Sequence, residues 1–157
     1  MANDTADVRS PARRRERPRA RGAVLAAISL GGGLGALARH GLGELLPTAP
    51  GGFPWSTFGI NALGCLLIGV LMVLITEVWT PHPLVRPFFG VGVLGGFTTF
   101  SAYAVEFGEL LRSGEPITAA AYLAGTLLCA LLAVLIGVTA ARWATGLAAP
   151  GTSEEVD

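Results

Sequence analysis

The chain has no lysine, and only 14% of its 157 residues are charged. A soluble domain carries about 25% charged residues, so an ordinary water-facing surface is excluded. There are only two cysteines, Cys65 and Cys129, in separate apolar runs with no CxxC spacing. That spacing excludes a zinc ribbon or thiol redox motif, and both read as small buried apolar residues. The two histidines, His40 and His82, sit near span ends and have no second ligand at helical spacing. No HExxH, GxSxG or P-loop pattern occurs, and no pair of carboxylates stands in mid-span. Metalloprotease, serine hydrolase and nucleotide chemistry therefore lack their carriers, and an enzyme is not expected.

What is present is apolar: 52% hydrophobic residues, with 22 glycines. Formal net charge is zero, but seven of the eleven arginines fall in residues 9–21. Residues 1–21 are polar and poor in apolar surface, which predicts a disordered tail. The cluster is not the body of a nucleic-acid domain, because a membrane pattern follows it. A secretory signal is disfavoured too: the next apolar run is about twenty residues and ends at Arg39-His40 without a small-residue cleavage pattern.

Four spans are predicted, at about 22–42, 55–75, 84–111 and 117–141, each near the roughly twenty residues a bilayer core requires. "PTAPGGFP", "TPHP" and "RSGEP" separate them, and Pro and Gly clusters of this kind end helices. Residues 143–157 form a polar C-terminal tail. The arginine cluster favours a cytoplasmic N-terminus, and four spans then return the C-terminus to the same side. Without the tail, Arg86 and Arg142 oppose Arg39 and Arg112, so the body has no orientation bias of its own.

Polar residues inside spans carry the information, because lipid offers them no partner. Thr57, Asn61 and Cys65 repeat at spacing four, as do Thr118, Tyr122 and Thr126; Phe100, Tyr103 and Phe107 form an aromatic stripe. Each stripe alone is compatible with helix packing. Glu106 and Glu109 share a face near the end of the third span and read as a solvated span end. Within that span Gly95-Gly96-Phe97-Thr98-Thr99 weakens the helix. A break there frees backbone carbonyls, which must find protein, water or an ion. With no carboxylate nearby, a monovalent cation such as Na⁺ suits them better than Ca²⁺.

"GGGLGALARH" at 31–40, "STFGINALGCLLIG" at 56–69 and "GGFTTFSAY" at 95–103 together resemble the CrcB/Fluc fluoride channels, in order and across all four spans. The resemblance implies an all-α integral membrane fold. Four transmembrane helices, the third broken, would pack as an antiparallel, dual-topology dimer in the cell inner membrane. It implies fluoride as the permeant ion, with Asn61 donating its amide to it and Phe100 as the first ring of an aromatic box. Thr57 and Ser101 would line the polar path, and Tyr122 and Thr126 would form a hydroxyl track. Arg39 would stand at a vestibule. Gly95 and Thr98 would offer backbone carbonyls to a structural Na⁺ at the dimer interface. One position departs: the family reads "TTFSTF" where this chain reads "TTFSAY", so Tyr103 brings a hydroxyl that needs a partner. Tyr103 and the basic tail leave two partners open, an identical chain or an oppositely oriented paralogue. Two other readings compete with a channel. One is a non-transporting membrane subunit. The other is a small proton-coupled multidrug exporter, which needs a membrane-embedded carboxylate that the first span lacks.

Overall fold

A computed structural model describes residues 11–49 and 51–147. Among them the chain is helix and turn, without strands. Helix α1 is Pro11–Leu45, and α2 is Trp55–Val73, prolonged by a π-helical turn at Leu74–Val78. The third span starts as a π-helical stretch, Arg86–Leu94, and tightens to one turn, α3 (Gly95–Phe97). It resumes as α4 (Phe100–Arg112), and α5 is Pro116–Ala144.

Four segments are long and apolar enough to cross a bilayer: Arg21–Leu45, Trp55–Val78, Arg86–Arg112 and Pro116–Ala144. The chain is a multi-pass membrane protein. The expected spans differ from these by at most three residues at any end. A larger difference lies upstream, where α1 begins at Pro11 and makes residues 11–21 helical rather than unfolded. Proline is preset for a first helical position, and arginine, alanine and glutamate favour helix; Pro18, inside the same stretch, works against it because it has no N–H to donate. Residues 1–10 and 148–157, which hold the rest of both expected tails, lie outside the described residues.

Alternate spans pack in parallel, and glycine decides how closely. Gly31, Gly32 and Gly35 of α1 meet the backbone of Phe88–Phe97, with Gly92 against Gly31 and Gly96 against Gly32. A Cβ at Gly35 would collide with the Val93 carbonyl. Gly69 of α2 meets Val134–Val138, and Gly137 of α5 meets Leu66–Val70. Lipid tails are as apolar as leucine, so helices associate by close backbone packing rather than by burying leucine. The long leucines of α5, such as Leu127, Leu131 and Leu135, accordingly stand exposed. The α4–α5 turn is closed by Gly114 at φ 77°, a left-handed conformation.

The third span leaves helical geometry at Thr98 (φ −75°, ψ 155°) and Thr99 (φ −146°, ψ 125°). Thr99 then caps α4, its hydroxyl accepting from the Ala102 amide at 3.2 Å. This break turns one long helix into two pieces with different neighbours, and it positions the site.

Candidate functional site

Asn61 holds the break open. Its Nδ2 donates to the Thr99 carbonyl at 3.0 Å, and its Oδ1 accepts from the Thr99 amide at 2.8 Å. The side-chain amide thus replaces two backbone partners that an unbroken helix would supply. Asn61 is buried, which is affordable only because both of its polar atoms are matched. One amide hydrogen of Nδ2 is spent on Thr99, and an amide group carries two.

The same bonds release two carbonyls. In a continuous helix the Thr99 amide would close on Gly95 and the Ala102 amide on Thr98. Here the first goes to Asn61 and the second to the Thr99 hydroxyl. The neighbouring Gly96 carbonyl is taken, since Arg39 Nε donates to it at 3.2 Å. Arg39 is half-buried and reaches from α1 to the break, rather than standing free at a span end.

Next to the break lies an open, mainly apolar groove of about 820 Å³, with Asn61, Thr98, Thr99, Tyr103 and Thr126 among its lining. Thr126 is 7% exposed, and its hydroxyl has no partner among the described residues. Phe100, at the rim, is 78% exposed. Tyr103 is satisfied internally, its hydroxyl donating to the Leu123 carbonyl of α5 at 2.9 Å. Its ring lies 5.8 Å from Phe100 and 5.2 Å from Tyr122, centroid to centroid. The Ser101 hydroxyl is exposed and lies 3.2 Å from that of Thr99.

One turn further along, a carboxylate joins three helices. Thr57 donates to Glu106 Oε1 at 2.7 Å, and Tyr122 donates to Oε2 at 2.6 Å. Both hydroxyl residues are buried, Tyr122 completely. The expectation of a solvated span end therefore fails for Glu106, although Glu109 is exposed as expected. Helical spacing on α4 alone could not show this. The available signal was on the other helices: Thr57 and Tyr122 face inwards near one end of the bundle and need an acceptor. Glu106 and Glu109 also line a smaller cavity of about 410 Å³ beneath the α1–α2 loop, with Arg112 at its edge.

Asn61, Tyr103 and Thr126 thus share the groove beside the break, and the Tyr103 ring, 5.2 Å from that of Tyr122, joins them to the Thr57–Glu106–Tyr122 cluster; these residues make a polar line along α4, with Ser101 outside the groove, next to Thr99 at its start. Arg39, Gly95 and Thr98 cluster at its inner end. Thr118, the third member of the α5 stripe, is only partly buried and has no hydrogen bond among the described residues. Among these residues no group of three or more histidine, cysteine or carboxylate side chains could hold a metal. Backbone oxygens are the candidate ligands.

The chain also matches known proteins. A family model described as CrcB-like protein, Camphor Resistance (CrcB), matches residues 26–138. The chain is 60% identical over 126 residues to a Nocardia farcinica protein named fluoride-specific ion channel FluC 2, covering 80% of this chain and 90% of that one. It is 58% identical over 120 residues to a Streptomyces avermitilis protein of the same name, 76% of each chain. A Streptomyces coelicolor protein named fluoride-specific ion channel FluC 1 is 55% identical over 135 residues, 86% of this chain and 88% of the other.

Proposed function

The chain belongs to the CrcB family, and on that premise we propose that it is a fluoride-selective passive channel. It exports fluoride across the plasma membrane and lowers its cytoplasmic toxicity; it is not an enzyme. The observation that carries this reading is the polar line itself, neutral donors threaded through an apolar bundle with the Glu106 carboxylate as the one charged group among them.

Fluoride is small and strongly hydrated, so entry requires donors that replace water. The second Nδ2 hydrogen of Asn61, the unpartnered Thr126 hydroxyl and the positive ring edges of Phe100 and Tyr103 are such donors. None carries a full charge. Conduction needs binding that is favourable yet easily undone, and a fixed cation on the path would retain the anion. Arg39 is instead engaged at the break through Gly96. Towards the mouth, Glu106 holds the hydroxyl hydrogens of Thr57 and Tyr122. Fluoride passing that level competes with the carboxylate for them.

Two oppositely oriented chains, identical or paralogous, complete the channel in this reading. The polar line covers only α4, thirteen residues or about 20 Å of a core near 30 Å. It ends at an exposed Phe100 beside an exposed Gly95. A second, inverted chain would continue the path and cover that rim. A Na⁺ at the interface fits the freed carbonyls of Gly95 and Thr98. When bound it would supply positive charge at the break and hold the two chains' broken helices in register.

The test is fluoride efflux from liposomes holding the purified chain, followed with a fluoride electrode. Efflux driven by membrane potential without a proton gradient is expected. Absence of efflux from the chain alone and from the chain with a paralogue would overturn the reading. Flux that requires a pH gradient would favour the proton-coupled exporter instead.

A further inference from the structure

Helix α2 carries a glycine that the close helix seams do not explain. At Gly69 of α2, as at Gly35 and Gly137, an added Cβ would run into the backbone of a neighbouring helix. Gly64 is different: the three atoms nearest to a Cβ there all belong to the side chains of Thr98 and Phe97. It would collide with the Thr98 methyl, and Phe97 Cδ1 stands next at 3.3 Å. Glycine is a poor residue for a helix interior, because it has the most backbone freedom to lose. At this buried position its absent side chain leaves a notch in α2, and the Thr98 methyl fills it.

The notch lies three residues from Asn61, on the same face of α2. Asn61, Gly64 and Thr98 all line the groove. Helix α2 therefore grips the break twice. Asn61 binds the Thr99 amide and carbonyl at 2.8 and 3.0 Å, and Gly64 takes the methyl of the residue before. Thr98 has no easy way to turn out of the notch. Its χ1 is stiff, as in any β-branched residue, and its hydroxyl donates to the Leu94 carbonyl at 2.9 Å. Rotating the methyl away would carry the hydroxyl off that carbonyl. The buried Phe97 ring closes the other side. A side chain at position 64 would thus displace the Thr98 backbone, whose carbonyl is one of the two that the break frees.

We propose that Gly64 is a positioning residue of the ion path. By admitting the Thr98 methyl it sets the direction of the Thr98 carbonyl and the seat of Thr99 on Asn61. This rests on the channel reading above. Gly64 has no group to offer an ion and acts through Thr98. Asn61 presents its second Nδ2 hydrogen in a fixed direction only while Thr99 holds the first, so a shift at Thr98 reaches that donor.

The test moves one methyl across the contact. Gly64→Ala adds it on α2, Thr98→Ser removes it from the break, and the two together conserve volume. Fluoride efflux from liposomes is normalised to folded, monodisperse protein, and the unfolding temperature in detergent is read alongside. Gly69→Ala is the control, since it crowds the α5 seam of the same helix, away from the break. Efflux per folded channel is expected to fall at least about ten-fold in Gly64→Ala. It stays near parental in Gly69→Ala, although both variants unfold earlier. Thr98→Ser alone keeps the hydroxyl, opens a small void and is expected to lose about two- to three-fold. The double variant is expected to return to within about three-fold of the parent, because residues in contact couple. Should Gly64→Ala fail to fold, the double variant decides, since it must then fold and conduct. Equal losses in Gly64→Ala and Gly69→Ala, or parental efflux per folded channel in Gly64→Ala, would overturn the proposal. So would a double variant that does not fold or conducts no better than Gly64→Ala. A parent chain without efflux, alone or with a paralogue, overturns the channel reading and this proposal with it; the other outcomes overturn the proposal alone.

Discussion

The two halves of the third span have nearly the same length and opposite characters. Arg86–Phe97 packs its glycines against α1 so closely that Gly92 and Gly96 have no room for a side chain. It carries no polar group into the groove until the break. Phe100–Arg112 has looser backbone contacts and holds most of the chemistry: Tyr103 bonded to α5, Glu106 bonded to α2 and α5. Asn61 stands at the joint. The contrast shows how a short apolar chain divides labour. Close packing holds one half still, and that fixed half gives the broken end a defined position. The other half then exposes polar groups at a known depth.

The comparison breaks most severely at the joint. Asn61→Asp keeps the acceptor, loses the donor to Thr99 and to fluoride, and adds a repelling charge. Two lost donor interactions at about 1–3 kcal/mol each predict at least about a thirty-fold drop in fluoride efflux. Efflux near the parent rate would remove Asn61 from the path. Glu106→Gln comes next. Glutamine keeps an acceptor at only one of the two carboxylate positions and puts an NH2 donor at the other, so the link between α2 and α5 is half lost. Efflux is expected to fall by about ten-fold for one such bond, while Glu109→Gln in the same assay has little effect. If both variants behave alike, the Thr57–Glu106–Tyr122 cluster is only packing.

Tyr103→Phe should do much less. The ring and its edge stay, and the lost bond to Leu123 costs about 0.5–1.5 kcal/mol of stability, measurable as earlier unfolding in detergent. Efflux is expected to stay close to parental; a collapse in efflux with unchanged stability would make the hydroxyl an ion ligand. In the packing half, Gly35→Ala should lower stability by about 1–3 kcal/mol through overpacking. Efflux per folded channel should be unaltered. A variant that is stable but non-conducting would show that the glycine seam belongs to the site as well.

Much of this was legible before any coordinates. The four spans follow from apolar run length, and the weakness at Gly95–Thr99 follows from helix propensity. The membership of Asn61, Phe100 and Thr126 in a common region follows from motif resemblance. Three things were not legible. Glu106 belongs to a cluster whose other two members lie 49 and 16 residues away, so no local pattern links them. Arg39 has a partner 57 residues off and in sequence looks like any charge near a helix end. Tyr103 posed a question, a hydroxyl without a partner, whose answer was the Leu123 carbonyl on the neighbouring helix.

The sequence by itself determined that the chain lives in a membrane, how many times it crosses and where the third helix fails. These are consequences of composition and period along one strand of chain, and lipid enforces them without reference to neighbours. Only the tertiary structure decided which polar groups are free and which are spent. Asn61 gives half its donors to the break, Tyr103 gives its hydroxyl away, Thr126 keeps its own, and Glu106 is occupied on both oxygens. The physical reason is that in lipid a polar group's state depends on its nearest partner, and those partners lie on other helices.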